Sequence, residues 1–181
     1  MTKITLLGDS IRMNYENEVR KQLGDDFEVY TSSENGRWAS FTRRSLYDQR
    51  DKIAQSRVIH WNNGHWDICD LFGNGPFTDE DVYVKELKMI AELLLKITPK
   101  VIFATTTPLK EGNKLNDNPT TDRYNRLAVE TLAPMGIVIN DLNAAVKQNV
   151  DLYICEDKIH LTDEGKRLCG KLVAEKIKEV L

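Results

Sequence analysis

The sequence is poor in several residue types that particular functions require. It has only three cysteines, Cys69, Cys155 and Cys169, an odd number and widely spaced. No CxxC pair occurs, so a zinc knuckle, a dithiol redox centre and a disulfide framework all lack their usual spacing. Neither charge is in real excess: 25 Lys and Arg stand against 28 Asp and Glu, a net charge of −3. That leaves no basic footprint for gripping nucleic acid or an anionic membrane. Long hydrophobic runs are missing too. Only four residues separate Lys3 from Gly8-Asp9, far short of the core of a signal peptide. Nothing approaches the roughly 20 apolar residues of a membrane span. Histidine is scarce, with His60, His65 and His160 alone. These absences predict a cytoplasmic protein with reduced thiols, no metal or other cofactor, and no nucleic-acid or membrane partner.

What remains is a chain of 181 residues, 41% of them hydrophobic, which suits one domain with a proper core. Short apolar runs alternate with longer amphipathic ones. Residues 4–7, 27–30, 58–61, 101–104 and 137–139 read as five strands, short and rich in β-branched side chains. Their near-continuous hydrophobicity suits parallel strands covered on both faces. Between them, residues 79–97 repeat apolar side chains at helical steps. A final helix begins after Thr162 as its N-cap, and 14–23, 40–55 and 121–133 are weaker helical stretches. Residues 71–78 and 110–121 read as long surface loops. The alternation predicts a single flavodoxin-like three-layer α/β/α sandwich with a five-stranded parallel sheet and right-handed crossovers.

Ligands of such sheets bind beyond the carboxyl ends of the strands. Four polar turns fall there: Gly8-Asp9-Ser10, Glu34-Asn35-Gly36, Asn62-Asn63-Gly64 and Thr105-Thr106-Thr107. Ser10 is a candidate nucleophile, with Gly8 allowing the sharp turn before it; a serine at this junction is equally an ordinary helix cap. A serine hydroxyl needs a base, and an imidazole base needs an orienting carboxylate. Of the three histidines, only His160 has an aspartate, Asp157, three residues before it. Glu156 is the longer and less suitable substitute. The amides of Ser10 and Gly36 and the side chain of Asn62 or Asn63 are candidate oxyanion donors. His65 and Trp38 are candidate substrate contacts, although packing accounts for both as well; His60 reads as a core residue within strand three. The tryptophans Trp38, Trp61 and Trp66 offer an apolar wall to an acyl or sugar group. The surroundings of Ser10 are not the Gly-x-Ser-x-Gly elbow, since Ile11 and Arg12 follow it.

From Gly8-Asp9-Ser10-Ile11 to Asp157-Lys158-Ile159-His160-Leu161, the chain resembles the SGNH hydrolases, the GDSL esterase/lipase superfamily. The resemblance implies a metal-free serine esterase acting through an acyl-enzyme. Ser10, His160 and Asp157 would form its triad, and Ser10, Gly36 and an Asn side chain its oxyanion hole. The third block departs from the usual Gly-x-Asn-Asp, reading Trp61-Asn62-Asn63-Gly64-His65-Trp66-Asp67, so Asn62 and Asn63 both stay open as the oxyanion residue. The substrate implied is a small or short-chain ester, with O-acetylated carbohydrate among the candidates. Two other functions share the scaffold: acyl transfer to a sugar hydroxyl through the same residues, and a non-catalytic binding module. A two-metal phosphoesterase would need more His and carboxylate ligands than the chain brings together.

Overall fold

The computed structural model describes residues 1–181. In chain order the elements are β1 (Thr2–Leu7), α1 (Ser10–Leu23), β2 (Phe27–Thr31), α2 (Ala39–Ile53), β3 (Val58–Trp61), α3 (Glu80–Leu95) and β4 (Val101–Ala104). There follow α4 (Asn118–Leu132), a 3-10 turn (Ala133–Met135), β5 (Val138–Asn140), α5 (Leu142–Lys147), α6 (Val150–Tyr153) and α7 (Asp163–Val180). The five strands form one parallel sheet in the order β2-β1-β3-β4-β5. From β1 the sheet grows one way to β2 and the other way to β3, β4 and β5. Connections of one hand that run in opposite directions must place their helices on opposite faces. This is what the packing shows: α1 and α7 cover one face, and α2, α3 and α4 cover the other.

The strands are apolar on both sides, so consecutive residues feed different cores. On β4, Val101 and Phe103 join α2, α3 and α4, while Ile102 and Ala104 join α1 and α7. Trp61, one of the three tryptophans expected to line a substrate wall, lies instead fully buried in the first of these cores, with Phe103 edge-on at 4.9 Å. His60 is buried on the other side of β3, where Asn140 Nδ2 meets its Nε2 at 3.3 Å. Burial lowers its pKa to about 3, so the ring is a neutral core group. None of the helices is long and apolar enough to cross a membrane.

Local chemistry explains where the elements begin. The Asp9 carboxylate accepts from Ile11 N at 2.9 Å and so starts α1 at Ser10, four residues before the sequence pattern does. Asp117 caps α4 through Thr120 N at 2.8 Å, which brings Pro119 into the first turn, where its missing N–H leaves nothing unpaired. The helices α5 and α6 have six and four residues, too few to show a period. Trp38 precedes α2 without capping it. That task falls to Asp67, beyond β3, whose carboxylate accepts from Ala39 N at 3.0 and 3.2 Å.

Two features set the stability of this frame. On α7, a Cβ at Gly170 would lie 2.4 Å from Glu18 Cβ and 3.2 Å from Val19 N of α1, so the two helices approach as closely as glycine allows. The second is Asp67, which is fully buried. Desolvation, aided by the charges of Asp9 and Glu86, outweighs its hydrogen bonds and raises its pKa from 3.8 to about 7. Between those values the folded chain holds a proton that the unfolded chain has released, so stability falls as pH rises through that window.

Gly170→Ala should destabilise the fold by about 1–3 kcal/mol through overpacking, although alanine is the better helix former. A urea midpoint equal to wild type would contradict the close approach. Asp67→Asn keeps an acceptor for Ala39 N and removes the titration. Relative to wild type, its unfolding free energy should gain on the order of 2–4 kcal/mol between about pH 4 and pH 8. Parallel stability curves for the two proteins across that range would refute it.

Candidate functional site

The carboxyl edge of the sheet is built around Gly8. Its φ is +142°, and a Cβ there would lie 2.0 Å from Asn62 Oδ1. The parallel register pairs Leu7 with Trp61, which sets the next residues, Gly8 and Asn62, side by side. From this crossing α1 departs with Ser10 as its first residue and its N–H at the helix terminus, where no intrahelical acceptor exists.

The other half of the site comes from the opposite end of the chain. Residues 154–161 fold back on themselves: Ile154 and Leu161 form an antiparallel bridge, and Cys155 N donates to His160 O at 2.7 Å. Lys158 N donates to Cys155 O at 2.9 Å, with Lys158 itself in the left-handed region at φ +71°. Within this loop Asp157 Oδ1 accepts from Ile159 N and His160 N at 3.1 and 3.0 Å, which leaves Oδ2 to meet His160 Nδ1 at 2.7 Å. Partial desolvation pushes the Asp157 pKa up, but the two backbone donors and the imidazole together outweigh it and hold the carboxyl below its usual range. Asn14, one turn along α1 from Ser10, accepts from Leu161 N at 3.0 Å and docks the loop onto the helix. His160 Nε2 then stands 3.0 Å from Ser10 Oγ. Serine, imidazole and carboxylate are thus hydrogen-bonded in series.

The candidate donors separate on hydrogen-bond counting. Asn63 is turned away from the edge, and both hydrogens of its Nδ2 are taken, by Arg37 O and Thr42 Oγ1 at 2.9 Å each. Gly36, expected to offer its amide, donates it to Gly8 O at 2.8 Å, because the turn after β2 closes onto the turn after β1. Asn35, one residue earlier, lines the cleft beside Ser10, and no protein acceptor takes its N–H. Asn62 Nδ2 gives one hydrogen to Asp9 Oδ1 at 2.7 Å and keeps the second. Burial raises the pKa of Asp9, opposed by Asn62, Ile11 N, Arg12 and His160. Arg12 is buried as well, pairs with Glu16, and donates to Glu34 O at 2.9 Å, which steadies the turn that carries Asn35.

Ser10 and His160 open onto a cleft of about 770 Å³. One wall holds His65, Trp66, Cys69 and Leu71, and the others come from residues 112–116 and 156–160. His65 lines this cleft, but its ring is buried and held by Thr107 Oγ1 at 3.0 Å. Burial, reinforced by His160, lowers its pKa to about 3 and keeps it neutral. Trp38 does not line the cleft. Its ring packs with Phe77, Phe41 and Trp66 at centroid distances of 5.2, 5.8 and 6.2 Å, the position dictated by its place at the start of α2. Nowhere do three His, Cys, Asp or Glu side chains gather as metal ligands would.

The sequence singled out Ser10, Asp157 and His160, and these three meet. It gave no reason to choose Asn14, Asn35 or Arg12, each of which acts through a backbone group that folding brings near. Asp9 carried a usable signal, as an N-cap candidate directly before the first helix.

No family model matches the sequence, and no curated protein matches it. Solved structures do. A lipase/acylhydrolase from Enterococcus faecalis superimposes with a TM-score of 0.83 at 19% identity, covering 99% of this chain and 96% of that one. A GDSL-like lipase from Bacteroides thetaiotaomicron gives a TM-score of 0.73 at 13% identity over 99% and 89% of the two chains. An acetylxylan esterase from Geobacillus stearothermophilus gives 0.79 at 15% identity over 97% and 94%. Over nearly its whole length the chain thus has the fold of solved GDSL-like lipases and acylhydrolases.

Proposed function

We propose that the protein is a serine esterase of the SGNH type acting on small or short-chain carboxylic esters. The observation that carries this reading is the unbroken series Ser10 Oγ, His160 Nε2, His160 Nδ1, Asp157 Oδ2, at 3.0 and 2.7 Å, facing an open cleft. In this reading Ser10 Oγ attacks the ester carbonyl carbon while His160 Nε2 takes its proton, and the carbonyl electron pair moves to oxygen. The tetrahedral intermediate collapses, the bond to the alcohol oxygen breaks, and His160 returns the proton to the departing alkoxide. Water then attacks the acyl-serine with His160 again as base, which releases the acid and restores Ser10. Asp157, held ionised by its backbone donors, fixes the tautomer and stabilises the imidazolium.

The negative oxygen needs donors already in place. Ser10 N–H at the head of α1 is one, with the helix dipole behind it. The second hydrogen of Asn62 Nδ2 and the amide of Asn35 are the others this reading uses. Among esters, O-acetylated carbohydrate remains a candidate, since the Geobacillus relative is an acetylxylan esterase. Transfer to a sugar hydroxyl would use the same residues with a different second acceptor.

Ser10→Ala should lower kcat/KM for p-nitrophenyl acetate and butyrate by at least about a thousandfold, with the far-UV circular dichroism spectrum unchanged. Turnover equal to wild type would remove Ser10 as nucleophile. On the acid side kcat/KM should fall, because a base must be unprotonated to take the proton of Ser10 Oγ, while Asp157, held below its usual range, stays ionised. A profile flat from about pH 5 to pH 8 would count against an imidazole as the general base. EDTA should leave the rate intact; inhibition reversed by added zinc or manganese would favour a metal-dependent mechanism instead.

A further inference from the structure

The turn after β2 is made of three successive peptides, and each is held by a different contact. In the first, Glu34 N donates to Ser32 Oγ at 3.1 Å. In the third, Gly36 N donates to Gly8 O at 2.8 Å. In the middle one, Asn35 N has no protein acceptor, and Glu34 O accepts from Arg12 Nη2 at 2.9 Å. Arg12 is thus the one side chain that fixes the peptide whose N–H the oxyanion needs.

A peptide is planar, and in the trans form its C=O and N–H point in opposite directions. The chain contains no cis peptide. Glu34 O is directed at a buried guanidinium, on a side chain only 1% exposed. Asn35 N–H is therefore directed away from that group, where Asn35 lines the cleft together with Ser10. Turned over, the same peptide would offer its carbonyl oxygen to the cleft, and the oxyanion would meet a lone pair. Such a flip carries the residue after the carbonyl to positive φ, which Asn tolerates better than most residues. Asn35 does not have positive φ here. The unflipped state is the one that Arg12 selects.

Arg12 is also equipped for the task. It lies two residues after Ser10 on α1, and its other arm pairs with Glu16, one turn further on. A guanidinium fork holds two acceptors at once in a fixed geometry, which an ammonium does not. Its charge behind the carbonyl polarises the peptide and makes the N–H at the far end a stronger donor.

We propose that Arg12 is the positioning residue of the oxyanion hole, locking the peptide between Glu34 and Asn35 with its N–H toward the cleft. This role rests on the serine esterase reading and names what keeps one of its donors in place.

The test compares wild type with Arg12→Met, Arg12→Lys and a control, Arg20→Met. The control removes another arginine of α1 that donates to a β2 carbonyl, Val29 O. The oxyanion forms in acylation and again in deacylation. With p-nitrophenyl acetate, kcat should therefore fall about ten- to a hundredfold in Arg12→Met, with KM within about twofold of wild type. Arg12→Lys keeps the charge without the fork, so it should show a smaller fall of the same kind, and it serves if Arg12→Met fails to fold. The control should keep its kcat. A trifluoromethyl ketone adds Ser10 Oγ to give an oxyanion, so its Ki should rise in step with the loss of kcat/KM. An unchanged kcat in a folded Arg12 variant, a rise in KM alone, or an unchanged Ki overturns the assignment. Crystal structures of the Arg12 variants read the peptide without reference to turnover, and should show it turned over or in two orientations. If wild type had no esterase activity, the serine esterase reading would fall, yet a turned peptide would uphold Arg12 as its lock. The wild-type orientation alone in every Arg12 variant would overturn the lock even if Ser10 were essential.

Discussion

Three turns meet at Gly8, and the geometry of the site follows from how little room they leave one another. The parallel pairing of β1 with β3 brings Asn62 beside Gly8, with its side-chain oxygen where a Cβ would be. Gly36 closes from the other side and gives its amide to Gly8 O. With the backbone pinned on both flanks, the chain can leave the strand in one direction only, and Asp9 turns that exit directly into a helix. The orientation of Ser10 is therefore a consequence of backbone crowding, with little freedom left to its own side chain. Order of this kind is what preorganised electrostatic stabilisation requires, because donors that are already fixed need no rearrangement as charge develops.

The second requirement is that residues from opposite ends of the chain meet to within a hydrogen bond. Helix α7 packs along α1 at glycine distance, and the loop just before α7 is fastened to α1 by Asn14. Because Asn14 lies one turn along the same helix as Ser10, the spacing between His160 and Ser10 is set by a rigid element that both sides share. The buried carboxylates Asp9 and Asp67 support the same region at some expense. Both are desolvated, both are raised in pKa, and both are spent on fixing a helix N-terminus at the edge of the site. A frame that tolerates such groups places geometric definition above stability at that edge.

How far the sequence reveals this depends on what each feature rests upon. The five strands were legible because their residues are apolar on both faces and flanked by polar turns; the observed bounds differ by at most two residues at either end. Ser10, Asp157 and His160 stood out in the sequence because the chain offers few alternatives to each, and folding brings the three side chains together. Asn62 and Asn63 were not separable, since adjacent residues of one type differ only in which way the backbone points them. Asn63 turns inward to Arg37 O and Thr42 Oγ1. Gly36 looked available because a sequence does not record which carbonyl an amide will find. Trp38 and Trp61 were both plausible as a substrate wall, yet one packs at the head of α2 and the other is sealed under α3. Indole rings serve a core and a cleft equally well, and only the fold decides between them.

The parallel sheet has a further consequence for the two ends of the chain. All five strands point their carboxyl ends at the cleft, so Met1, ahead of β1, lies at the far edge of the molecule and is fully open to solvent. Helix α7 runs back down the sheet from the His160 loop, and Lys100, at the foot of β4, reaches Leu181 O at that same far edge. Both ends thus emerge on the side away from Ser10. A surface linker, a reporter or a neighbouring domain attached at either end would leave the cleft facing outward, open to the solution.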